Sequence, residues 1–432
     1  MGLVNAVCFA HKGYRVIGIE TDQNRLKQVR NAEPPFFEPS LPDYLKDAID
    51  RNLLLATDDS SLNAQADCCF IAVETPSMPD GSADLSAIEA ATSAAGRSLR
   101  NSTKNQLVVI LSAVPPGTAR NIITPILEKE SGKSKGDGFN LCSNPELFAQ
   151  GDAIHDTEYP DRIIIGGDEP DASRLEGFYK EFCGDSRCVI LRTTHENAEL
   201  IKYANSAFIA TKVSFINFIA DIAERVRFAD VRVIAEGIGL DERISPGALH
   251  AGIGWGGPCL PKDTRALTEF SKRCGVESNL IQAVSAVNDA HHYKTVKLAK
   301  EMLGSLKGNR IAVLGLAFKS ATDNVKDASS IRIIKDLLVE GAHVVAYDPK
   351  SVNHAKSILG NKVEYANNAV ECIERTDCCI VVTEWDEFKQ IPPETFRRKM
   401  SRPIVIDGRG IYNVDAFSQA GVRLSGIGVG QT

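Results

Sequence analysis

Continuous apolar runs bounded by acids, prolines and glycines set the pattern of this chain, and they recur in two widely separated stretches. The opening reads as a helix from Gly2 to Lys12, a turn at Gly13 and a buried strand over Tyr14–Ile19 that ends in Glu20. Asp67–Val73 and Gln106–Leu111 are further runs without polar alternation, as strands of a parallel sheet covered on both faces require. Residues 310–348 repeat the plan, with a strand at Arg310–Gly315, a helix at Ser330–Glu340 and a turn and strand at Gly341–Asp348. The spacing from Gly13 to Glu20 equals that from Gly341 to Asp348, and Asp67 and Asp377 each open an apolar strand. Between the halves, residues 195–227 predict one long helix, with Ile201, Phe208, Phe215 and Ile222 at heptad spacing and Lys202 and Ser206 sharing a polar face. Such a helix serves as a spine and a dimer surface. The expected fold is α/β: two Rossmann-like doubly wound domains, 1–193 and 301–432, joined by a central helical domain, 194–300.

Composition narrows the class. The 432 residues are 43% hydrophobic and 24% charged, and no uninterrupted apolar run reaches the roughly 18 residues of a membrane span. The formal charge of -7 is dispersed without a basic tract, so nucleic acid is not the expected partner, and an anionic substrate needs local cations. Eleven cysteines without CxxC spacing, several inside apolar runs, read as reduced thiols of a cytoplasmic protein. The apolar start lacks a basic leader region, and Ala6 stands where myristoylation needs a hydroxyl. A zinc site has no supporting ligand spacing, so no metal is expected.

An acid ending the second strand of a nucleotide-binding unit accepts hydrogen bonds from ribose hydroxyls, which marks Glu20. A G-x-G-x-x-G fingerprint needs a strand and two glycines before the helix; Gly2 supplies at most its third glycine, and the central first strand is absent. The least ordinary stretch is Gly252-Ile253-Gly254-Trp255-Gly256-Gly257-Pro258-Cys259-Leu260-Pro261-Lys262-Asp263. Its four glycines and two prolines around one cysteine suggest a backbone shaped to approach a ligand, with Lys262 near enough to favour a thiolate.

GIGWGGPCLPKDTRAL resembles the active-site signature of the UDP-glucose 6-dehydrogenases, within the wider group of nucleotide-sugar dehydrogenases. The similarity extends through FFEPSL, ETPSMPDGSADLS, SAVPPGT, NPELFAQG, ELIKYANSAF, GLAFKSATDNVKD, VVTEWDEF and DGRG, in the family's order. The resemblance implies NAD-dependent oxidation of a sugar-nucleotide C6 alcohol to a carboxylate in two hydride transfers. In that scheme Cys259 is the nucleophile that forms a thiohemiacetal and then a thioester. Lys202 would stabilise the oxyanion, Asp263 would order Lys202 or a catalytic water, and Glu146 would activate water. Ser206, Gly256, Lys319 and Arg409 fall at substrate-contacting positions, and Arg243 at that of an arginine reaching in from a neighbouring subunit. Gly2, Glu20, Arg25, Thr75, Pro76, Ser112 and Lys326 fall at cofactor positions, Lys326 where the family commonly has arginine. Three departures cluster at the active site: Ser206 for an asparagine, Gln150 for a second glutamate and Ala113 for a threonine. UDP-glucose is the expected substrate. The alternatives are GDP-mannose, a UDP-N-acetylhexosamine, or sugar-nucleotide binding without full catalysis. A homodimer or larger homo-oligomer is the expected assembly.

Overall fold

A computed structural model describes residues 1–184 and 188–429, so the last three residues of the expected final domain lie outside it. The chain divides into two compact units, one of residues 1–205 and 265–275, the other of residues 206–264 and 276–432.

The second unit contains the complete doubly wound sheet. Its strands, in chain order, are Arg310–Leu314, His343–Tyr347, Glu364–Tyr365, Cys378–Val381, Ile404–Asp407 and Arg423–Gly426. All pair in parallel, and their spatial order is 3-2-1-4-5-6, the nucleotide-binding arrangement in which ligands lie beyond the carboxyl ends where the order reverses. Ile311, Val313, Val344, Cys378, Ile380 and Ile406 pack one side of this sheet against the helix Ser329–Val339. Ala312, Leu314, Val345, Cys379, Val381 and Val405 pack the other side. Burial on both faces is why these runs carry no polar alternation.

The first unit follows the same order with its first position missing. Val16–Ile19 pairs in parallel with Leu54–Thr57 as a separate two-stranded sheet. A second sheet runs Cys68–Ile71, Gln106–Ile110, Gly138–Ser143, Arg162–Gly166 and Val189–Thr193, with the short strand Ser134–Lys135 also on Gly138–Ser143. Its third and fourth strands meet antiparallel, at Ser143 and Gly166. The expected single sheet is therefore split, because the strand that would pair with both Val16–Ile19 and Cys68–Ile71 is not in this sequence. Both edges still pack into one core with the first helix, Gly2–His11, where the Phe9 ring lies 5.2 Å from those of Phe70, Phe178 and Phe182.

The helix His195–Ala223 carries Lys202 in the first unit and Ser206 in the second. Its heptad residues Phe208, Phe215 and Ile222 are turned outward, 66%, 50% and 45% exposed, as is Phe218, whereas Tyr203, Ala210 and Ile216 are fully buried. Lys202 and Lys212 break any continuous apolar run, yet among the described residues this is one helix long and apolar enough to cross a membrane by length and composition; 44% of its most apolar window is buried inside the protein.

After the first strand of the complete sheet the chain turns at Gly315, whose φ is +102° and whose added Cβ would lie 2.0 Å from Thr383 Oγ1. Strain and overlap act together there. Gly315→Ala is expected to destabilise the protein by about 3 kcal/mol or more, read as a lowered denaturant midpoint.

Candidate active site

In the second unit the cysteine segment is an irregular loop that delivers Cys259 to the start of the helix Leu260–Arg273, whose first turn closes with Asp263 N donating to Cys259 O at 2.8 Å. The glycines serve a purpose that sequence did not foresee. An added Cβ at Gly256 would meet Asp327 O at 2.2 Å, one at Gly257 the Phe318 ring at 2.6 Å, and one at Gly252 Gly408 O at 2.8 Å. The expected close approach is thus, at these glycines, to the protein's own chain. It brings the segments bearing Lys319, Lys326 and Arg409 against the cysteine loop.

Buried side chains brace the loop from behind. Asn217 Oδ1 accepts from Gly252 N at 2.8 Å, and His291 Nδ1 meets Gly252 O at 3.0 Å. Asn288 holds both main-chain groups of Trp255, accepting from its N at 2.7 Å and donating to its O at 3.0 Å. Asp263 is fully buried; its Oδ2 accepts from Ser206 Oγ at 2.8 Å and its Oδ1 from Lys262 Nζ at 2.6 Å. The Lys262 charge is therefore engaged by Asp263. Ser206, although shorter than an asparagine, reaches the buried acid directly.

The cations of this unit differ in their surroundings. Arg409 is half-buried, with Nε donating to Val382 O at 2.7 Å and lying 3.4 Å from Glu384 Oε2. Arg243 is 88% exposed at its side chain and reaches Asp241 at 2.5 Å.

In the first unit, Lys202 Nζ donates to the main-chain O of Glu146 at 2.7 Å. The Glu146 carboxyl is buried, and burial pushes its pKa up to about 7, against the lowering influence of Asn5 and Lys202. Its Oε1 accepts from Asn5 Nδ2 at 2.7 Å, while Oε2 has no hydrogen-bond partner among the described residues. Two further acids tie down the neighbouring loops. Glu38, in the FFEPSL segment, accepts from Gly151 N and Ala153 N at 2.8 Å, next to Gln150. Glu199, one turn before Lys202, accepts from Gly117 N at 2.6 Å and Ala119 N at 2.8 Å. Both were missed as site residues; a buried acid that caps a loop has no local sequence signature beyond its place in a motif.

Glu20 ends its strand half-buried, accepting from Asp22 N at 2.9 Å, and Arg25 is exposed on the following helix. The Ser112 and Thr75 hydroxyls are engaged with main chain: Ser112 Oγ exchanges hydrogen bonds with Val73 N and O, and Thr75 Oγ1 donates to Ala113 O at 2.7 Å. They hold together the loops at the carboxyl ends of two adjacent strands. The first helix has no side-chain cap, and a Cβ on Gly2 would stand 3.2 Å from that of Ala72. Amides without a side-chain cap, at a glycine where a Cβ would crowd Ala72, are compatible with the pyrophosphate of a dinucleotide. Among the described residues, no group of three or more His, Cys, Asp or Glu side chains is placed to hold a metal ion.

The chain is 39% identical over 431 residues to UDP-glucose 6-dehydrogenase TuaD of Bacillus subtilis, covering 99% of this chain and 91% of that protein. Among solved structures, a UDP-glucose dehydrogenase from Pyrobaculum islandicum superposes with a TM-score of 0.90 at 35% identity, covering 99% of this chain and 95% of the other. A UDP-D-ManNAc dehydrogenase from Pyrococcus horikoshii gives 0.85 at 27% identity, covering 99% and 96%. Residues 1–183 match the NAD binding domain of one family, residues 196–290 its central domain and residues 312–414 its UDP binding domain. The chain belongs to the UDP-glucose/GDP-mannose dehydrogenase family, and its cofactor is NAD.

Proposed function

We propose that this protein oxidises the C6 alcohol of UDP-glucose to the carboxylate of UDP-glucuronate in two successive two-electron steps. The observation that carries the reading is the packing of the Cys259 loop against the segments bearing Lys319, Lys326 and Arg409. It joins a nucleophile to the cations an anionic sugar nucleotide needs. NAD, when bound, supplies the hydride acceptor for both oxidations. The parts divide as the sequence suggests: cofactor on residues 1–193, the cysteine and the dimer surface on 194–300, and the UDP-sugar on 301–432.

The chain's own residues carry the remaining chemistry. Cys259 lies at a helix start, where amide dipoles favour an anionic sulfur. Its thiolate adds to the C6 aldehyde; the thiohemiacetal loses hydride to become a thioester, and water releases the acid. Lys202 donates to the developing oxyanion, Asp263 orders Ser206 and Lys262, and Glu146 takes a proton from the attacking water. Arg409 and Lys319 bind the nucleotide sugar beside Gly256, and Arg243 reaches the substrate of a second copy. Glu20 and Arg25 hold the adenosine ribose. Thr75, Ser112 and Gly2 shape the cofactor cleft, and Lys326 contacts the cofactor with a single ammonium in place of a guanidinium fork.

The outward stripe of Phe208, Phe215, Phe218 and Ile222 supports a homodimer through the long helix. Among the described residues none of the eleven cysteines is in a disulfide, which suits the cytoplasm.

Cys259→Ser should lower UDP-glucuronate formation by about three orders of magnitude while leaving UDP-glucose affinity by calorimetry near that of the native protein; undiminished acid formation would remove the covalent mechanism. With matched UDP and GDP sugars, NADH release should favour UDP-glucose, and a preference for GDP-mannose would overturn the substrate assignment. Light scattering should return twice the chain mass for the native protein and the chain mass for the double variant Phe208→Glu, Phe215→Glu; a monomeric native protein would exclude the dimer.

A further inference from the structure

The first helix reads GLVNAVCFAH, with Asn5 as its one polar residue before the terminal histidine, and that residue is buried. Its Nδ2 reaches across 141 positions of sequence to Glu146 Oε1 at 2.7 Å. The second carboxylate oxygen is buried without a hydrogen-bond partner. Asn5 and Glu146 both line a cavity of about 120 Å³, together with Asn144, Asp156, Arg162 and Tyr179, room enough for water.

We infer that Asn5 is a positioning residue for Glu146: its amide holds Oε1 in the ionised carboxylate and leaves Oε2 open to take the proton of the water that attacks the thioester. This rests on the reading of Glu146 as the base. A buried carboxyl without any donor keeps its proton at neutral pH and takes up no other. A carboxyl with donors on both oxygens, as Asp407 has from Arg409 N, Gly410 N and Tyr412 N, has its lone pairs committed. One donor on one oxygen keeps Glu146 both ionisable and available.

The charged and titratable groups facing the carboxyl come from several elements. Lys202 lies on the long helix, Cys8 on the first helix, and Tyr179 on the helix Asp171–Cys183. Asp156, Asp161 and Arg162 line the cavity. Asn5 and Lys202 favour the carboxylate, whereas burial opposes it and raises the pKa to about 7. Removing the Asn5 donor raises it further. The base is then protonated over a wider range, and activity is lost as pH falls through a higher value.

The test is the pH profile of kcat for NADH formation from UDP-glucose. Asn5→Ala should move the acidic limb up by about one pH unit, lower kcat by about tenfold on that limb, restore it at alkaline pH, and change KM for UDP-glucose by less than about twofold. Asn5→Asp, which keeps the shape of the side chain, should move the limb further in the same direction, because a second carboxylate opposes ionisation of the first. It carries the test if the alanine variant fails to fold. Glu146→Gln separates the two claims. If it loses the rate while both Asn5 variants keep the native limb, the Asn5 inference falls and the base assignment stands. If Glu146→Gln keeps the rate and the limb, the base assignment falls and takes the inference with it.

Discussion

There is no room for a side chain between the backbone of Gly256 and the carbonyl of Asp327, and the rest of the second unit's site depends on that contact. An added Cβ would stand 2.2 Å from the oxygen, and Gly257 is similarly pressed on Phe318. Interiors this dense transmit displacement and do not absorb it. The irregular loop is therefore held from both sides: in front by the segments that carry Lys319, Lys326 and Arg409, and behind by Asn217, Asn288 and His291. These contacts, with the bond from Asp263 N to Cys259 O, fix the place of Cys259.

Buried carboxyls do different work according to how many donors reach them. Asp348, at the end of the second strand of the complete sheet, accepts from Leu316 N, Ala317 N, Lys350 N, Ser351 N and Trp385 Nε1. It is a structural cap, although its spacing from Gly341 matches that of Glu20 from Gly13. Glu20 accepts from Asp22 N and is half-buried, so it keeps capacity for a ligand hydroxyl. Glu199 spends its carboxylate on the loop at Gly117 and Ala119, and Asp263 divides its oxygens between Ser206 and Lys262. Glu146 differs in having a partnered oxygen and an unpartnered one. Equal residue types at equal positions in repeated halves thus diverge in chemistry because the donors around them diverge.

Much of this was legible before any coordinates. Runs such as Asp67–Val73 and Arg310–Gly315 announce fully buried strands because a sheet covered on both faces has no solvent side to record. The long helix declares itself through its heptads, and the motifs name Cys259, Lys202, Glu146 and Asp263. The purpose of the glycines was not legible: a glycine that admits a ligand and one that admits a neighbouring carbonyl are the same letter.

Sequence alone determined the fold class, the repeated halves and the order of motifs, because hydrophobic periodicity and turn chemistry are local properties that each segment carries with it. Only the tertiary structure decided that Ser206 joins Asp263, that Phe208 and Phe215 face outward, and that Asn5 reaches Glu146. Those pairings link residues far apart in the chain or choose among faces of one helix. They are fixed by packing and by the burial of polar groups that must find partners, which no single segment contains.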